Sequence, residues 1–240
     1  MPPKLTTNKI SFFMAIGLVG FLAVFIGFGK TFPPAIRDVK TPGIVFVHGA
    51  FAFSWLCLFF IQATLMHYNN FRVHQILGFI GLFIATATAF TMLPAGASTV
   101  QKNLNEGLGD TSYSSIVGVA SSAFMFLAIV IAGILNRKNP PAHKRLMLLA
   151  TILVLWVAWF RFRYYFPSVP RPDIWFGLVL PNCLILISWI WDKYVNGRLH
   201  PVLGLVGAFI IIEQSFEVIM YDSPAWRSLG KAIFELVPGY

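Results

Sequence analysis

The pattern His-x-x-x-Gly-x-x-Gly occurs twice in this chain, from His74 to Gly81 (HQILGFIG) and from His200 to Gly207 (HPVLGLVG), each time at the start of a long apolar stretch. Neutral imidazole binds haem iron, zinc and copper through a ring nitrogen. At about 100° per residue, His74, Gly78, Gly81, Ala85 and Thr88 fall on one helix face, and His200, Gly204, Gly207 and Ile211 repeat the arrangement. Each helix then carries a metal-competent group at one end of a smooth stripe of small residues.

Two chemistries use such histidines. On facing helices a pair of them ligates the iron of haem b, with Gly78 and Gly204 leaving room for the flat macrocycle and Arg72, Lys144, Arg145 or Arg198 meeting its propionates. Alternatively His74, His143, His200 and His67 converge at one level and hold Zn, Cu or Fe directly, since imidazole suits all three. A protein with no cofactor also accounts for the pattern, because histidine tolerates the polar edge of a membrane and Gly-x-x-Gly is common where helices pack closely.

A second polar group lies at the other depth. The helical rise of about 1.5 Å per residue separates His48 from His67 by most of a bilayer, and brings Glu213, Glu217, Arg161 and Arg163 to the level of His48. Charges inside a bilayer face the bundle interior and find partners. Arg161 or Arg163 is therefore expected to pair with Glu213 or Glu217. That layer either braces the bundle or forms the protonatable site of a proton-coupled small-molecule transporter, with His48 as the proton partner.

The elements that must position these residues are membrane helices. The chain is 57% hydrophobic and only 11% charged, with a mean hydropathy of +0.73, which leaves too little polar surface to coat a water-soluble globule. Seven apolar runs are legible: Ile10 to Phe28, Ile44 to Met66, Val73 to Leu93, Ile116 to Leu135, Leu146 to Phe166, Ile174 to Trp191 and Val202 to Met220. Each is close to the roughly 20 residues that cross about 30 Å of hydrocarbon. The predicted fold is all-α, one transmembrane domain over 1–240 built as a seven-helix bundle. The stretch from Pro94 to Ser112, with Gly96, Gly107 and Gly109 among polar residues, reads as an exposed loop. Lys4 and Lys9 precede a first run that is long for a signal core and lacks a small-x-small exit, so that run reads as a retained anchor.

Threaded through seven spans, His67, His74, His143 and His200 share one boundary and His48 lies near the other. Lysine and arginine divide evenly between the two sides, but Arg137, Lys138, Lys144 and Arg145 crowd one short loop, which favours the N-terminus inside and the C-terminus outside. The net charge of +9 then reflects topology and attraction to anionic lipid; no tract points to nucleic acid. Cys57 and Cys183 read as buried free thiols, and Trp175, Trp189, Trp191, Tyr194 and Tyr164 as interfacial belts. There is no phosphate-binding loop and no dinucleotide fingerprint.

The phrases Ala142-His143-Lys144-Arg145-Leu146-Met147-Leu148-Leu149-Ala150-Thr151 and Gly197-Arg198-Leu199-His200-Pro201, together with Trp55, Gln62 and His74, resemble an uncharacterised family of bacterial multi-pass membrane proteins. That resemblance implies a bacterial cytoplasmic membrane and supplies no activity. Histidines at helix starts are also similar to those of membrane proteins linked to cytochrome oxidase assembly and of b-type haem bundles, although His48 lacks the histidine partner a two-haem bundle would give it. The leading expectation is a histidine-ligated haem or metal site at one boundary, in electron transfer or cofactor handling. The alternatives are the proton-coupled transporter and a structural subunit associating with other membrane proteins or with itself.

Overall fold

The computed structural model describes residues 11–239; Lys4, Lys9 and Ile10, the start of the first predicted run, lie outside them. Among the described residues seven helical segments are long and apolar enough to cross a membrane. The first is α1 (Phe12–Gly29), opened by Ser11, whose hydroxyl accepts the Met14 N–H at 3.3 Å. A short α2 (Phe32–Arg37) with proline in its first turn leads to α3 (Gly43–His67) and then α4 (Phe71–Asn105). The turn between α3 and α4 places Asn69 at φ 58, a left-handed conformation asparagine tolerates, and Asn70 caps α4.

A 3-10 turn at Gly109–Tyr113 introduces α5 (Ser114–Leu135). The fifth span is built from α6 (Pro140–Val154), α7 (Trp156–Phe160) and a 3-10 turn at Arg161–Tyr164. The sixth begins as a π-helical turn at Asp173–Val179 and continues as α8 (Leu180–Asn196), which Gly197 ends at φ 71. The seventh is α9 (Pro201–Met220), and α10 (Pro224–Glu235) follows it.

The α6 helix is the central post, touching α3, α5, α8 and α9. Leu148, Leu149, Ile152 and Leu153 are buried along it, against Phe126 of α5, Ile185 of α8 and Ile210 of α9. The outward faces carry exposed Phe79, Phe83, Phe90, Phe124, Ile212 and Ile219. Large apolar side chains on the outside of an apolar core are what a hydrocarbon solvent selects.

Four expectations are corrected. The predicted loop from Pro94 to Ser112 is helical as far as Asn105, with Pro94 inside α4. Proline removes one backbone donor there, but Ala97 and Val100 are buried with Ile116, Phe234 and Val237, and this packing outweighs the lost bond. Small residues permit the approach, since a Cβ on Gly96 would press on Val119 of α5. At about 52 Å, α4 exceeds the hydrocarbon thickness and must tilt or project. The fifth run starts earlier, at Pro140, and is broken at Leu155 instead of running on to Phe166. Trp189 and Trp191 act inside the bundle: the Trp189 indole donates to the Leu203 carbonyl at 2.9 Å, and Trp191 stacks on Phe12 at 4.2 Å. Finally, α10 has no counterpart among the predicted runs, being too short and polar on one face to read as a span.

Candidate functional site

The first turns of α4 and α6 bring His74 and His143 together, with ring centres 6.2 Å apart and planes at 89°. The turn between α5 and α6 is short enough to fold the last turn of α5 back over His143, so that its Nδ1 lies 2.8 Å from the Gly133 carbonyl. A carbonyl only accepts, so Nδ1 carries the proton and Nε2 keeps its lone pair. His74 is held through its backbone, whose carbonyl accepts from the Gln62 amide of α3 at 3.1 Å. Its Nδ1 is buried and has no partner among the described residues.

His200 does not join this pair. It is the N-cap of α9, its Nδ1 accepting the Val202 N–H at 3.3 Å, and its own N–H donates to the Asp192 carboxylate at 2.8 Å. Burial and the nearby Arg145 guanidinium hold its imidazole below the ordinary value. The neutral form is the one that can cap the helix.

Asp192 organises this corner. It is 0% exposed, and Arg145, 3% exposed, reaches it through Nε at 3.1 Å and through a second, shorter contact from Nη2. The Asn196 amide donates to the same carboxylate at 2.8 Å, and Arg145 Nη1 donates to the Pro141 carbonyl at 2.7 Å. The carboxylate thus ties α6, α8 and the start of α9 into one network. A cavity of about 320 Å³ adjoins it, lined by Pro141, Lys144, Arg145, Asn196, Arg198 and His200.

The three- or four-histidine metal centre is therefore corrected. Among the described residues no group of three or more His, Cys, Asp or Glu side chains is placed to hold a metal ion. His67 packs edge-on against Tyr68, 5.1 Å between ring centres, at the end of α3. The repeated glycines serve packing: a Cβ on Gly81 would meet Leu58, and one on Gly207 would meet Ile185 and Trp189. Gly78 lies near Gln62, while Gly204 faces Leu199. Arg145 is engaged by Asp192 and is not free to meet a propionate.

The second polar layer is divided. His48 Nδ1 lies 3.1 Å from the Thr91 hydroxyl of α4. Arg161 stacks over the Phe28 ring at 4.0 Å and donates to the Val157 carbonyl at 3.1 Å. Arg163 stacks over Phe160 at 3.8 Å and donates to the Tyr164 hydroxyl at 2.9 Å. Neither arginine forms an ion pair with Glu213 or Glu217 among the described residues, which corrects the expected pairing. Aromatic faces and backbone carbonyls supply the arginines' partners instead. The glutamates face α5, Glu213 alongside Ser121 and Glu217 in the space that Gly118 leaves open.

Asp192 is the residue the sequence reading passed over. It stands one position beyond the predicted sixth run and so read as an ordinary flanking acid. A signal was present: it is the single acidic residue at that boundary, against Arg72, Arg137, Lys138, Lys144, Arg145, Lys193 and Arg198. Compared with protein-family models, curated proteins and solved structures, the chain matches none.

Proposed function

We propose that this multi-pass membrane protein binds haem b between His74 and His143 and serves electron transfer or cofactor handling in a bacterial cytoplasmic membrane. The observation that carries the reading is the His74–His143 pair, with the His143 tautomer fixed by the Gly133 carbonyl. Histidine ligands commonly donate their second nitrogen to a carbonyl in this way, which orients the ring and raises its basicity. Two imidazoles on one ion stand roughly 6 Å apart between centres, once about 2 Å of metal–nitrogen bond and the reach of each ring are counted on both sides. The observed 6.2 Å meets that requirement.

Haem is favoured over a bare Zn, Cu or Fe ion because its iron would need only two ligands from the protein, and two histidines stand together here. A closed zinc site takes four. Arg72, in the same turn of α4 as His74 and exposed, would be the candidate cation for a propionate. The test is the haem content of protein purified after haem-replete expression. The wild type should carry close to one haem per chain, His74→Ala and His143→Ala should each lose most of it, and His200→Ala should keep it.

A second reading rests on Glu213 and Glu217, two carboxylates that face α5 with no cation paired to them among the described residues. Such a pair suits a proton-coupled transporter. Proteoliposomes containing Glu217→Gln would then lose a proton-coupled flux while the protein kept its fold.

A further inference from the structure

The cavity beside Asp192 gathers the boundary's basic character into one space. Of its six lining residues, Lys144, Arg145 and Arg198 are cationic and none is acidic. Arg145 is neutralised by Asp192, which leaves Lys144 and Arg198 as the charges directed at the space. Neither forms an ion pair among the described residues; the Lys144 ammonium lies over the Phe13 ring, 5.6 Å from its centre. Two neutral side chains complete the polar lining. The Asn196 amide, on the last turn of α8, is taken up by Asp192, whereas His200, with Nδ1 occupied as an acceptor, carries its proton on Nε2 and is the neutral donor left for a ligand. At about 320 Å³ the space is at the lower end of ligand pockets, which run from roughly 300 Å³ upward. It sits where the fifth and seventh spans begin, at Pro140 and Pro201, and so at the depth where lipid phosphates lie.

We infer that this cavity binds a phosphate-bearing anion, supplied either by the headgroup of an anionic phospholipid or by free phosphate. Lys144 and Arg198 provide charge, and Arg198 can offer two parallel N–H donors to one oxyanion. The Arg145–Asp192 pair holds the wall without contributing net charge, so the cavity attracts an anion while its deepest polar groups stay satisfied. Basic pockets between membrane helices are suited to this class of ligand. The inference does not rest on the histidine pair, which lies outside the lining.

The experiment titrates detergent-solubilised protein with phosphatidylglycerol, with phosphatidylcholine and with inorganic phosphate, following lipid adducts by native mass spectrometry and anion binding by thermal shift. The wild type should prefer phosphatidylglycerol over phosphatidylcholine. Arg198→Gln and Lys144→Gln should each weaken that binding about fivefold, as expected for one cation near a membrane surface. Arg171→Gln at the other boundary should not. Both residues are exposed, so the variants should melt like the wild type, and Lys144→Arg should restore affinity in that position. A phosphate-dependent thermal shift in the wild type that is absent from the double variant assigns the site to a free anion; phosphatidylglycerol adducts without that shift assign it to a headgroup. Equal binding by wild type and double variant, or no preference for either anionic ligand, would overturn the inference.

Discussion

At the scale of single residues, Asp192 holds more of this boundary together than any histidine does. It accepts from Arg145, Asn196 and the His200 backbone at once. Removing one partner of a buried ion pair strands the other charge, so Asp192→Ala should cost about 3–5 kcal/mol in unfolding measurements made in detergent. His200 gives a second, pH-dependent outcome. Its folded value lies below the ordinary one near 6.5, so between the two the unfolded chain binds more protons, and stability falls as the pH drops through that window. Protonation also removes the acceptor for the Val202 N–H, a cap worth about 1 kcal/mol. Thermal melts at pH 8 and pH 5 should show this loss, and His200→Asn, which keeps an acceptor but does not titrate, should shrink it. A wild-type and His200→Asn difference independent of pH would contradict the assignment. The register of the two His-x-x-x-Gly-x-x-Gly phrases made His74 and His200 legible as boundary histidines. Convergence of His74 with His143 was expected from their shared boundary, but so was that of His200, and the sequence did not reveal that His200 caps α9 instead, because that is set by which helices are neighbours around α6.

At the scale of elements, most helices were visible as apolar runs, since length and hydropathy suffice to mark a span. What was hidden depended on neighbours. Pro94, Gly96 and the polar residues after them carry every local mark of a loop, yet burial against α5 and Phe234 keeps them helical. The break between α6 and α7 is equally silent in composition. Glycine positions test this packing. A Cβ at Gly27 would run into the backbone carbonyl of Ala158, which has no rotamer by which to yield, so Gly27→Ala should separate α1 from α7 and cost about 1–3 kcal/mol. Gly49→Ala, where a Cβ meets nothing within 4 Å, should be neutral or mildly stabilising through helix propensity. Chemical denaturation of both variants checks the pair, and equal destabilisation would show that the α1–α7 approach is looser than described.

For the whole molecule, seven spans divide the polar residues between two boundaries with different chemistry: a histidine pair and basic cavity at one, and arginine–aromatic stacks at the other. With Cys57 and Cys183 replaced by serine, single cysteines at Lys138 and Arg171 should label from opposite sides of the membrane, Lys138 from the cytoplasmic side if loop charge sets the orientation. Low-temperature electron paramagnetic resonance of the ferric, haem-loaded protein is the sharpest test of the proposal that His74 and His143 would together hold one haem. If both rings kept their observed 89° interplanar angle on an iron, two of its d orbitals would be almost equal in energy. One strongly anisotropic low-spin signal is expected, lost in His74→Ala and in His143→Ala and kept in His200→Ala. Ferric protein without a low-spin signal, or a signal that survives loss of His143, would contradict the proposal.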